Sequence, residues 1–176
     1  MAHNDLEAQD LAAQDLAAQD LAGRLADLED LEAIRALKAR YARFCDDGYD
    51  PDGIASLFVE GGVWDGGALF GRREGLDVIR EHFKGAPARI PWALHFTLVP
   101  EITLDGPPGP GRRASGTWYL WQPCTRRSSK GDEWQAWLTG TYADTYVKVD
   151  GTWKFETVTV DARWLSGPPP GEMPVR

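Results

Sequence analysis

Pro91-Trp92-Ala93-Leu94-His95-Phe96-Thr97-Leu98-Val99-Pro100-Glu101-Ile102-Thr103-Leu104-Asp105-Gly106 is a run of strand formers with one histidine set among apolar residues. Successive side chains of a strand point to opposite faces, so Ala93, His95, Thr97 and Val99 share one face and Trp92, Leu94, Phe96 and Leu98 the other. If the first face lines a pocket, His95 is a candidate proton carrier. If that face is plain core, His95 is an ordinary hydrogen-bonded side chain.

Three more strand-like segments follow, 112–125, 133–149 and 152–165, rich in Trp, Tyr, Thr and Val. The Pro/Gly run 106–111 joins the first pair, Ser128 to Asp132 turns the second, and Asp150-Gly151 is a tight-hairpin signal for the third. A row of antiparallel strands must have one face covered, and the helical material lies upstream. Leu21, Leu25, Leu28, Leu31, Ile34, Leu37, Tyr41 and Phe44 step by three and four, which predicts an amphipathic helix ending near Asp47-Gly48. Asp50-Pro51 opens a short second helix through Leu57-Phe58. Gly61 to Phe70 reads as a strand-turn-strand, and a third helix runs from about Arg72 to Lys84 with Gly85 as its stop.

Residues 8–22 repeat Ala-Gln-Asp-Leu-Ala with a period of five, which fits neither a helix face nor a coiled-coil seam. The expected organisation is a helical or disordered extension over 1–22, one domain over 23–166, and an extended, exposed Pro/Gly-rich tail over 167–176. A net charge of −8 with no basic stripe argues against nucleic-acid binding. No apolar run is long enough to span a bilayer and no signal-peptide pattern opens the chain, so a cytoplasmic protein without a membrane partner is expected. Cys45 and Cys124 have no neighbouring thiol and predict neither a disulfide framework nor a zinc site. Metal-ligand spacings, phosphate-binding glycine loops and the Gly-x-Ser-x-Gly elbow are all missing, which leaves chemistry without a cofactor or metal.

Four pieces in order carry a family resemblance: Leu31-Glu32-Ala33-Ile34-Arg35-Ala36-Leu37-Lys38 leading to Tyr41 and Asp46; His95 before Glu101-Ile102-Thr103-Leu104-Asp105; Gly116-Thr117-Trp118-Tyr119-Leu120; and Tyr142-Ala143-Asp144-Thr145-Tyr146 before Asp150-Gly151-Thr152-Trp153. Over roughly residues 28–165 the chain resembles the SnoaL-like branch of the nuclear transport factor 2-like superfamily. The resemblance implies an α+β fold, a cone-shaped barrel whose curved, mostly antiparallel sheet is covered by three helices. Within that superfamily the chain is similar to cofactor-free lyases such as bile-acid 7α-dehydratase and scytalone dehydratase. It implies Tyr41, Asp46 and His95 as the catalytic set and a homo-oligomer, a trimer, while the eight tryptophans suggest either a heavily aromatic core or a cavity for a small aromatic or polycyclic substrate. Gln122 stands where the dehydratase pattern has an acid or histidine, and Arg163 only approximates its polar group on the last strand.

Elimination beside a carbonyl needs a base, a donor to the enolate oxygen and an acid for the leaving group. His95 fits the base and acid, Tyr41 the neutral donor, and Asp46 the carboxylate that orients the imidazole. Tyr41 and Asp46 are about 140° apart round a helix, so they serve one site only if the helix ends or distorts near Cys45. Candidate substrate-binding residues are Trp64, Arg72, Trp118, Leu120, Gln122, Tyr142 and Arg163, with Arg72, Arg73 and Arg163 offered to an anionic or phenolic oxygen. His3 and His82 receive no role. Dehydration is the leading reaction, and a retro-aldol-type carbon–carbon cleavage uses the same proton inventory. A double-bond isomerase of the ketosteroid-isomerase type and a non-catalytic binding or assembly module are the alternatives.

Overall fold

The computed structural model describes residues 2–167, with side chains from residue 14 onward. The Pro/Gly tail beyond Gly167 lies outside the described residues. The element order is α1 (Ala2–Asp46), α2 (Pro51–Ser56), β1 (Phe58–Asp65), the one-turn α3 (Gly67–Phe70), β2 (Arg72–Glu74), α4 (Leu76–Lys84), a 3-10 turn (Ala86–Ala88), β3 (Trp92–Ala93), β4 (Phe96–Asp105), β5 (Arg113–Arg127), β6 (Glu133–Val149) and β7 (Thr152–Leu165). The seven strands form one curved, unclosed sheet in the order β2-β1-β7-β6-β5-β3, with β4 also on the free edge of β5. All pairings are antiparallel except β1 with β7. This is the expected α+β cone.

β5, β6 and β7 are long because their alternation is long: Ala114, Gly116, Trp118, Leu120, Gln122 and Cys124 of β5 all face inward. The β6–β7 hairpin closes on Asp150 (φ 48°) and Gly151 (φ 77°), the two left-handed residues of a twist-compatible turn. The ladder shifts register between Thr139 and Gly140, where β6 approaches β7 so closely that a Cβ at Gly140 would overlap the Asp161 carbonyl. Such a bulge bends the sheet and helps it wrap round the helices.

Three expectations change. The hairpin after β1 pairs with Arg72–Glu74, whereas Leu69-Phe70 sits in the helical turn α3; positive φ at Gly67 and Gly71 turns the chain there instead of extending it. α4 accordingly starts at Leu76 rather than Arg72. α1 is continuous from Ala2, but Leu21, Leu25 and Leu28 are exposed, because the helix overhangs the sheet and its packed stripe begins only at Asp30.

That stripe runs Asp30, Ile34, Leu37, Lys38, Tyr41, Ala42 and Cys45. Two of its members are charged and both are paired. Asp30 accepts from Trp153 Nε1 (2.9 Å), Lys148 Nζ (2.6 Å) and Arg112 Nη1 (3.0 Å). Burial alone would raise its pKa, but these donors outweigh burial and hold it below the ordinary carboxylate value. Lys38 Nζ, 0% exposed, meets Asp144 Oδ2 at 2.8 Å and lies 3.3 Å from the centre of the Tyr142 ring. Tyr146 donates to the same carboxylate oxygen and accepts from Trp118 Nε1.

Removing one partner of a buried pair leaves a charge without compensation. Lys38→Met is expected to lower the unfolding free energy by about 3–5 kcal/mol in urea titrations, and Lys38→Met with Asp144→Leu to recover a large part of it. Equal losses in the single and double variants would show that the pair does not anchor α1.

Candidate active site

His95 lies in the gap between β3 and β4, on the free edge of β5. Both flanking pairings keep one register, which places Leu94 opposite Pro123 and His95 opposite Gln122. Leu94 N–H donates to Pro123 C=O at 3.1 Å, but proline has no N–H to return, and the ladder lapses there. At the next, alternate position of an antiparallel ladder the N–H points away from the partner strand. The His95 N–H therefore faces outward, and Asp46, the last residue of α1, accepts it on Oδ1 at 2.8 Å. The same oxygen is 2.7 Å from His95 Nδ1. With Nδ1–H donating to this carboxylate, Nε2 carries the free lone pair. Two contacts from one oxygen fix the ring in orientation and tautomer, while its side chain is only 6% exposed.

Just after Asp46 the chain reverses through Gly48 (φ 73°) and Tyr49 (φ 59°). A tyrosine in the left-handed region is strained, and here the strain points its ring inward. The ring meets the imidazole edge-on at 5.8 Å and stacks on Phe83 at 6.2 Å, and its hydroxyl accepts from Gln122 Nε2 at 3.4 Å.

These groups wall a cavity of about 120 Å3 between α1, α4 and the inner face of β5, β6 and β7. Tyr41, Tyr49 and Tyr142 present phenols to it, and burial pushes all three pKa values up, so each stays a neutral donor. Tyr41 accepts from Trp64 Nε1 at 2.9 Å, and the Cys45 thiol neighbours its hydroxyl. Cys45, one turn below Tyr41, is held as a thiol by burial.

The SnoaL-like domain pattern matches residues 26–159, which is most of the chain and contains every group just described. The chain belongs to the SnoaL-like domain family. No curated protein matches it. Among solved structures, this SnoaL-like chain is similar to a protein of Novosphingobium aromaticivorans provisionally assigned as a scytalone dehydratase (23% identity, 84% of this chain and 97% of that one, TM-score 0.66). A second protein of that organism, provisionally assigned as an aromatic ring hydroxylase, is 26% identical over 80% of this chain and 94% of its own, with TM-score 0.66. The type 3 hexachlorocyclohexane dehydrochlorinase LinA of Novosphingobium barchaimii is 16% identical, covers 87% and 99%, and has TM-score 0.72.

In this SnoaL-like cone, Tyr41, His95, Trp64, Leu120, Gln122 and Tyr142 all line the cavity, with Asp46 directly behind His95. Arg72, Trp118 and Arg163 lie elsewhere. Arg72 pairs with Glu74 and Asp65 on the outside of the β1–β2 hairpin, and Arg163 pairs with Asp161 on the exposed end of β7. Trp118 is buried in the Tyr146–Asp144–Lys38 chain. The reading from sequence missed Tyr49, His82, Arg89 and Arg126 in the lining. Arg126 shares the inward parity of Leu120 and Gln122, and His82 sits beside Phe83 on the packed side of α4; both signals were present. Nothing in the sequence marked Tyr49.

The His82 ring packs 4.6 Å from that of Trp64, and burial, with the Arg73 and Arg89 charges, pushes its pKa down to about 4. The unfolded chain then binds a proton that the folded chain refuses between about pH 6.5 and 4. Stability is expected to fall across that window as pH drops, and His82→Gln to flatten the profile in denaturant titrations at stepped pH. An unchanged slope in the variant would remove His82 as the cause.

Proposed function

We propose that the chain is a cofactor-independent lyase that eliminates a small leaving group from a carbon skeleton holding one ring. The observation that carries this reading is the His95–Asp46 pair at the wall of a phenol-lined cavity. His95 Nε2 takes a proton from carbon, the C–H electron pair becomes a new double bond, and the leaving group departs with its own pair. Asp46 stabilises the imidazolium so formed, and Tyr41 donates to the oxygen that gains charge. His95 then returns its proton to a departing hydroxyl.

Two of the similar structures bear names of eliminations, a dehydratase and a dehydrochlorinase, and one fold accommodating both supports the reaction class rather than a particular leaving group. A cavity of about 120 Å3 supports a single ring and argues against a polycyclic ligand; an apolar cavity of about 150 Å3 holds one benzene. The cavity carrying Tyr41 and His95 favours an enzyme over a pure assembly module.

The outer face of the sheet supports self-association. Trp92, Phe96, Leu98, Trp121, Trp137 and Trp164 are all exposed there, with Phe96 on Trp121 at 5.0 Å and Trp121 against Trp137 at 5.6 Å. A patch of that kind is covered in a soluble assembly. We assign it to a homotrimer, as the family resemblance implies.

Monocyclic carbonyl compounds with a β-hydroxyl or β-halide are the substrates to screen by mass spectrometry. Loss of water or hydrogen halide is expected, with turnover falling about a hundredfold or more in His95→Gln and in Asp46→Asn. Turnover retained in His95→Gln sinks the mechanism, and a product of unchanged mass means an isomerase instead. Sedimentation equilibrium is expected to give three times the chain mass; a monomer contradicts the trimer.

A further inference from the structure

The cavity lining contains two arginines, Arg89 and Arg126, beside the imidazoles of His82 and His95, and no carboxylate. That is a local reversal in a protein of net charge −8. Neither Arg89 nor Arg126 forms a salt bridge among the described residues.

The two are held side by side. Arg127 N–H donates to Arg89 C=O at 2.8 Å, which ties the segment after the 3-10 turn to the end of β5. Arg126, one residue back, continues the inward-facing row of Leu120 and Gln122, four residues and roughly 13 Å along the strand from the position opposite His95. Its Nε is buried without an acceptor. Directly across the ladder from Arg126 is Trp134, and Trp134 Nε1 is likewise a buried donor without an acceptor. Buried donors are almost always satisfied, and two neighbouring exceptions, one of them on the unpaired Arg126 itself, mark a place built to receive an acceptor.

We propose that the substrate carries a carboxylate, received at the outer end of the cavity by Arg126 and Arg89, with its apolar ring lying between them and His95. The planar guanidinium matches a carboxylate with two parallel hydrogen bonds. The anchor also sets register, since a molecule held at its acidic end presents the same carbon to Nε2 at every encounter. His82 stays neutral and adds no competing charge at this position. This deepens the lyase reading, because the anion is placed on the molecule that His95 deprotonates. Anion binding itself is measurable without turnover.

Isothermal titration of the full chain with benzoate and with benzamide, its neutral isostere, tests the site. Benzoate is expected to bind at least about tenfold more tightly, with the preference weakened by salt. Arg126→Gln removes that preference, Arg89→Gln reduces it, and Arg126→Lys restores part of it. His95→Gln keeps it even where turnover is lost, so failure of the anion site and failure of the lyase mechanism are read separately. Benzoate binding no tighter than benzamide overturns the proposal. So does a preference that survives both Arg126→Gln and Arg89→Gln; Arg89 is exposed, so its variant remains informative if Arg126→Gln does not fold.

Discussion

The contact on which the arrangement depends is the ion pair between Lys38 on α1 and Asp144 on β6. Burial lowers the lysine pKa and raises that of the aspartate, so each ion is held against its desolvation by the other at 2.8 Å. An apolar helix stripe can slide or rotate by a fraction of a residue at little energetic cost. A charge pair inside the cone cannot. Tyr41 and Cys45 follow Lys38 at three and seven residues, on the same face, so the pair sets their azimuth as well. Asp30 does the same at the other end of the packed stripe, through Arg112 just before β5 and through Lys148 and Trp153 on β6 and β7.

With α1 indexed in this way, where it stops decides what the site contains. Tyr41 projects into the core and Asp46 does not. Asp46 reaches the imidazole because it is the final helical residue and His95 is on a sheet edge facing it. The reversal that follows brings Tyr49 back against the other side of the histidine. A helix one turn longer would carry Asp46 past the strand and leave the imidazole without its orienting carboxylate.

Much of this was legible in the chain. Strong alternation ended by Asp150-Gly151 located β6 and β7 almost to the residue, and the family resemblance singled out Tyr41, Asp46 and His95, which the fold gathers at one cavity. Periodicity reports that residues share a face without reporting what that face meets. Leu21, Leu25 and Leu28 continue the stripe of α1 in sequence and yet overhang into solvent. Lys38 reads as a polar interruption of the same stripe and is its most deeply buried cation. Arg72, Arg73 and Arg163 were the arginines offered by the sequence, but Arg72 and Arg163 pair with neighbouring acids and Arg73 donates to the Arg72 carbonyl, while Arg89 and Arg126 stand at the cavity. Only tertiary geometry separates a solvated arginine from an unpaired one.

The outward N–H of His95 has a bearing on how the molecule avoids polymerising. β3 and β4 form the open margin of the sheet beyond β5, and an open margin is a template on which a foreign strand can dock and grow into a fibre. Asp46 occupies one of the docking points, and a few residues on, Val99 (φ 47°) and Pro100 interrupt the pairing between Leu98 and Glu101. Two unrelated devices thus blunt the same margin, and one of them is the carboxylate that orients the histidine.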